Sequence, residues 1–241
     1  MKYTERIISA FFITMLAILL TNTAKAQEEN WNQIDKRKVL SSDTIHRKKY
    51  TLIFINMQPN LDTVLKRRMI DAYFKVYPAE AKTYHKKTIR TVVFVMDPQY
   101  KGVAATSNGL VRFNPEWFSK KPNDIDVVTH EVMHIVQGYP NNAGPGWITE
   151  GIADYVRYKF GVDNEAAGWK LPDLKPEHHY DNAYRITARF FVWLEEKKKK
   201  GLVKKLDKAM RQAKYTEAFW KEQTGLTVEE LWKEYVVDPR I

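Results

Sequence analysis

Two histidines four apart inside an apolar run constrain this chain more than any other feature. The segment DIDVVTHEVMHIVQ carries Ile125, Val128, Val132 and Ile135 at helical spacing, which predicts a helix over residues 124–137 with that stripe facing the core. Pro122 and Asn123 precede it, so Asn123 is the expected cap, with Asp124 and Asp126 in an acidic first turn. His130 and His134 then project from one face, one turn apart. Imidazoles so placed can share a single zinc ion, each at about 2.0–2.1 Å. Glu131 follows the first histidine; in an H-E-x-x-H helix this carboxylate stands beside the metal as a general base rather than on it.

A zinc ion that does chemistry takes three protein ligands and keeps one position open. The third is expected to be Glu150, in GWITEGIADYVR near the start of a second predicted helix over residues 148–160. Residues 138–146 between the two are rich in Gly, Pro and Asn, which suits a sharp connection and lets the helices lie side by side. Gly151 is expected to allow the second helix to approach the first closely. Asp154, one turn beyond Glu150, is expected to accept the outer ring N–H of His130 and fix that ring. The chain has no cysteine, so a metal site must come from histidine and carboxylate. Chance histidines on a surface helix, or carboxylates at a helix start, would each look the same alone; their conjunction favours Zn2+.

Around this core the chain reads as α+β: a small mixed or antiparallel sheet, the H-E-x-x-H helix, and a mainly helical C-terminal half. Residues 50–56 and 91–96 are short β-branched runs ended by Pro59-Asn60 and Asp97-Pro98, which predicts strands. From Leu61 to Val76 the apolar residues fall at helical spacing. Residues 103–107 and 110–113 flank Asn108-Gly109, the strongest short signal for a hairpin. Further helices are expected at 181–200, 202–212, 215–223 and 227–236. The run from Glu195 to Gly201 reads as a helix end, with Glu195 and Glu196 four before Lys199 and Lys200.

Residues 1–26 have a charged start, an apolar stretch and Ala24-Lys25-Ala26, the layout of a signal peptide cut after Ala26. That implies a secreted or periplasmic protein with no membrane span in the mature chain. Residues 27–49 are polar and read as a linker or arm, leaving one domain over 50–241. The net charge of +10 permits weak attraction to anionic surfaces, although a solvated basic surface explains it as well. No nucleic-acid recognition motif is present.

The stretches HEVMHIVQ, EGIADYVR, VAATSNG at 103–109 and TARF at 187–190 resemble the basic secretory protein family of plants and bacteria, over roughly residues 50–235. The resemblance implies a gluzincin-like peptidase fold, zinc held by His130, His134 and Glu150, and a peptide or protein substrate. For the oxyanion of such a reaction the candidates are Tyr184, His178 and His179. Gln137 is placed to brace the 138–146 loop. The strand 110–113 offers an edge for an extended peptide, with Arg112 either touching substrate or serving as an exposed edge charge. Trp147 is the tryptophan expected to line a cleft, the others to pack. Two rivals share these residues: an inactive zinc module that binds anionic polymers or glycans, and a zinc hydrolase of non-peptide amides or esters.

Overall fold

The computed structural model describes residue 31 and residues 33–241. The chain divides into two compact units, residues 1–39 and 40–241. In the first unit the described part is a short 3-10 turn, Lys36–Lys38, capped by the Asp35 carboxylate, which accepts from the Arg37 backbone N–H. The expected signal peptide lies outside the described residues. Among those described, no helix is long and apolar enough to cross a membrane.

The second unit is built on a five-stranded sheet in the order β1-β2-β3-β5-β4. The strands are β1 (Ser41–Arg47), β2 (Tyr50–Asn56), β3 (Thr91–Met96), β4 (Ala104–Ser107) and β5 (Leu110–Phe113). β1 corrects the reading of 27–49 as a linker: residues 41–47 pair antiparallel with β2, from Ser41 opposite Asn56 to Arg47 opposite Tyr50. Its side chains are exposed except for half-buried Ile45, so it carries no apolar alternation, and the ladder alone makes it a strand. β2, β3 and β5 run parallel, and β4 closes the far edge antiparallel to β5. Asn108 and Gly109 turn the β4–β5 hairpin with φ of 49° and 77°, the left-handed pair that a two-residue turn needs.

Helix α1 (Thr63–Thr83) crosses between the parallel strands β2 and β3. Asp62 caps it by accepting from the Val64 N–H, and Met69, Ala72, Tyr73, Val76, Tyr77 and Ala81 are buried on one side. It runs beyond the expected end at Val76, through Pro78. Against it lie Phe54, Phe94 and Phe113, all fully buried, with Phe94 edge-on to Phe113 at 4.9 Å. Glu80 is wholly buried on α1 with neither carboxylate oxygen bonded among the described residues, and burial pushes its carboxyl well above the usual range.

Helix α2 (Pro115–Lys120) is capped by Asn114. Helix α3 (Val127–Gln137) starts three residues later than expected. Asp126, not Asn123, stands at its start, and its carboxylate accepts from Thr129 Oγ1 and from the backbone N–H of Val162 and Asp163. Every residue of α3 is buried except half-buried His134. It packs against α1, against β4, and against α4 (Gly146–Phe160). Gly151 serves a contact different from the one expected. A Cβ there would collide with Thr187 Cγ2 of α5 (Tyr184–Trp193), so the glycine lets α4 approach α5 rather than α3.

A π turn (Leu194–Lys198) ends α5, followed by α6 (Leu202–Arg211), α7 (Ala218–Thr224) and α8 (Val228–Val237). The Glu195 carboxylate accepts from the backbone N–H of Gly201 and Val203. Lys199 bonds the Gln223 carbonyl. Those bonds replace the i,i+4 pairs expected in that run.

Candidate active site

His130 and His134 sit on α3, Glu150 on the first turns of α4, and the three meet. His134 Nε2 lies 3.1 Å from His130 Nε2, and Glu150 Oε2 lies 3.2 Å from the first ring and 3.6 Å from the second. For a tetrahedral ion bound at about 2.0–2.1 Å, ligand atoms stand roughly 3.3 Å apart. The three separations straddle that value.

The outer ring atoms decide what the inner ones can be. His130 Nδ1 donates to Asp154 Oδ1 at 2.7 Å, and His134 Nδ1 to Gln137 Oε1 at 2.7 Å. The Gln137 amide is itself oriented, because its Nε2 donates to the Thr149 carbonyl at 2.9 Å. A carboxylate and an amide oxygen accept only, so both Nδ1 atoms carry a proton and each ring, in its neutral form, turns an Nε2 lone pair inward. Two lone pairs and a carboxylate oxygen then converge, an arrangement that a cation among them satisfies. The electrostatics point the same way. Burial alone would lower the His130 pKa, but Asp154 and Glu150 outweigh it and raise it to about 10, so the site draws positive charge to this ring, and a metal takes up the Nε2 position by displacing a proton from it. Burial alone would raise Glu150, yet its two imidazole partners hold it well below the usual carboxylate range. The donor set therefore fits zinc.

Glu131 is buried beside these groups and accepts from Thr106 Oγ1 at 2.6 Å. Thr106 comes from β4, the edge strand packed on α3; the sequence reading passed over it, although it lies within VAATSNG. Tyr184 is also at the site. Its ring stacks 6.0 Å from His130 with an interplanar angle of 17°, and it is 54% exposed, so it is not a packing residue. Ala183 and Tyr184 both have positive φ, 63° and 49°, a strained start to α5 that aims the tyrosine at the cleft. The negative charge of Glu150, followed by burial, raises its phenol pKa.

Other expectations are redistributed. Neither His178 nor His179 lines the cleft; His179 pairs with Asp181 at 2.7 Å and packs on Tyr180. The strand 110–113 is not an edge, because β5 is sandwiched between β3 and β4 with all four side chains buried. Arg112 is accordingly neither a substrate contact nor an exposed edge charge; it donates to Asp97 at 2.8 Å, both residues buried. The open edge belongs to β4. Val103 O accepts from Asn114 N, so by alternation Ala104 and Thr106 turn their backbone groups outward, the Ala104 carbonyl meeting the Tyr100 hydroxyl. Trp147 packs among Tyr180, Phe191 and Trp220 instead of lining the cleft. Trp117 and Trp169 line it. Asp124 joins them, accepting from Trp117 Nε1 at 2.9 Å and pairing with Arg157, whose guanidinium lies 4.5 Å over the Trp169 ring. The cleft encloses about 1170 Å³.

Similar folds occur among solved structures. A two-domain M1 zinc metallopeptidase bound to L-arginine superposes with a TM-score of 0.51 at 15% identity, over 81% of this chain and 51% of that one. An M1 zinc metallopeptidase from Deinococcus radiodurans bound to a Tyr-Ser-Ala substrate gives 0.50 at 15%, with the same coverage of 81% and 51%. The chain thus spans about half the length of these enzymes. No curated protein matches it in sequence. The family of peptidases of plants and bacteria matches residues 37–235, reaching back to include β1. With nearly the whole described chain inside that match, this protein belongs to the basic secretory protein family of peptidases.

Proposed function

We propose that the protein is a zinc-dependent peptidase in which His130, His134 and Glu150 hold the metal and Glu131 is the general base. The observation that carries the reading is the convergence of two histidine Nε2 atoms and one carboxylate oxygen at 3.1–3.6 Å, each ring fixed from behind. Zinc there would supply a Lewis acid that polarises the scissile carbonyl and acidifies the attacking water. Glu131 takes a proton from that water and delivers it to the leaving amine. The Thr106 hydroxyl holds one carboxylate oxygen of Glu131, leaving the other to work on the water. An extended peptide adds to the β4 edge, bonding the outward backbone groups of Thr106. The Tyr184 hydroxyl, at the cleft mouth with its pKa raised, stays protonated at neutral pH and donates to the oxyanion. The indoles of Trp117 and Trp169 supply an apolar wall for a substrate side chain.

Tyr184→Phe tests the arrangement without touching a ligand. Loss of one oxyanion donor lowers kcat about 10²–10³-fold. Steady-state cleavage of an unfolded protein or a fluorogenic peptide should show that loss with KM and metal content little changed. Unaltered kcat would remove Tyr184 from the reaction.

A further inference from the structure

A second cavity, of about 730 Å³, lies between the β1–β2 turn and the outer flank of α1 and shares no lining residue with the cleft. Its floor is Tyr50, Phe74, Pro78 and Ala81; its rim is Arg47, Lys48, Lys49, Lys75, Lys82 and Lys86, with Asp71 the one carboxylate. Asp71 is taken by Arg47, at 2.8 Å. Arg47 also covers the Phe74 ring at 4.7 Å and Lys49 the Tyr50 ring at 5.2 Å. No carboxylate lies within ion-pair reach of Lys48, Lys75, Lys82 or Lys86 among the described residues. The positive charge noted in the sequence is therefore partly gathered around an apolar hollow rather than spread as a solvating surface.

Pro78 marks the same place. It stands inside α1, where it removes the N–H that would bond the Phe74 carbonyl four residues back. Phe74, Lys75, Pro78 and Lys82 fall at helical spacing on this flank, so the missing bond lies on the cavity side of an otherwise continuous helix.

We infer that this cavity binds a small amphiphilic anion, with an acyl or aryl body on Phe74, Pro78 and Tyr50 and a carboxylate, phosphate or sulfate head among the lysines. The volume lies within the roughly 300–1,000 Å³ of small-molecule sites, and the floor suits an apolar body that a purely polar anion would not use. A cationic rim over an aromatic floor complements both halves of such a ligand.

Calorimetric titration of the full chain with decanoate, below its micelle concentration, tests this. One equivalent should bind. The neutral analogue decanoyl-N-methylglucamide should bind at least tenfold more weakly, and inorganic phosphate should not compete at the same concentration. Lys75→Glu with Lys82→Glu, both exposed positions, should weaken decanoate at least tenfold while leaving the melting temperature and zinc content unchanged. Phe74→Ser should weaken it comparably. Absence of decanoate binding, or equal affinity in the lysine variant, would overturn the inference. So would a sulfated polysaccharide that binds through the lysines, is indifferent to Phe74→Ser and is not displaced by decanoate.

Discussion

Glu150→Ala is expected to weaken zinc binding by about 10²–10⁴-fold. Apparent binding free energies of protein zinc sites at neutral pH run to about 10–16 kcal/mol, so one ligand of three or four accounts for roughly 3–5 kcal/mol, with each 1.4 kcal/mol a factor of ten. The loss is not made good locally. Asp154 is committed to His130 Nδ1 at the outer side of that ring and Glu131 to Thr106 Oγ1, so neither neighbouring carboxylate replaces the lost one without giving up its own bond. Competition against a chromophoric chelator measures the change, and an affinity within threefold of the native protein would contradict the ligand assignment. Loss of the Glu150 charge also lowers the Tyr184 phenol pKa toward its ordinary value, because that charge is the largest cause of its rise.

Glu131→Gln should leave the metal in place and remove turnover. Glu131 is outside the group of three converging ligand atoms, so zinc content should match the native protein. Glutamine keeps the shape and can still accept from Thr106 Oγ1, but it cannot take a proton, and a positioned general base contributes about 10²–10⁴-fold. A loss at the upper end is expected, since in the proposed mechanism the same carboxylate serves both proton transfers. Retention of activity within tenfold would place the base elsewhere.

The two helices that carry the candidate ligands were legible in the sequence because their periodicity and the chemistry of their residues agree. Glu150 and Asp154, one turn apart on one helix face, were readable as a candidate third ligand and a partner for His130 from that spacing together with the ligand needs of zinc, and the structure sets them at its Nε2 and Nδ1. The hairpin was legible from Asn108-Gly109. What the hairpin could not reveal is which of its strands is inner, since that depends on β3 choosing β5 as its neighbour. That choice buries Arg112 against Asp97 and gives the open edge, with Thr106, to β4. Thr106 was invisible for the same reason: a half-buried residue in a four-residue strand has no pattern until the strand is laid on α3. β1 escaped because its outward-facing polar residues resemble a linker. Gly151 was read as a close approach, correctly in kind, but its neighbour on α5 is far away in sequence.

We expect one zinc ion at His130, His134 and Glu150 to be required for peptide hydrolysis. The most direct measurement strips the purified protein with a chelator, adds zinc in fractions of an equivalent, and follows peptide cleavage alongside bound metal. We expect no cleavage in the stripped protein, activity rising in proportion to zinc, and a plateau at one equivalent. Cleavage that survives removal of the metal, or a fully loaded protein that cleaves no peptide, would contradict it.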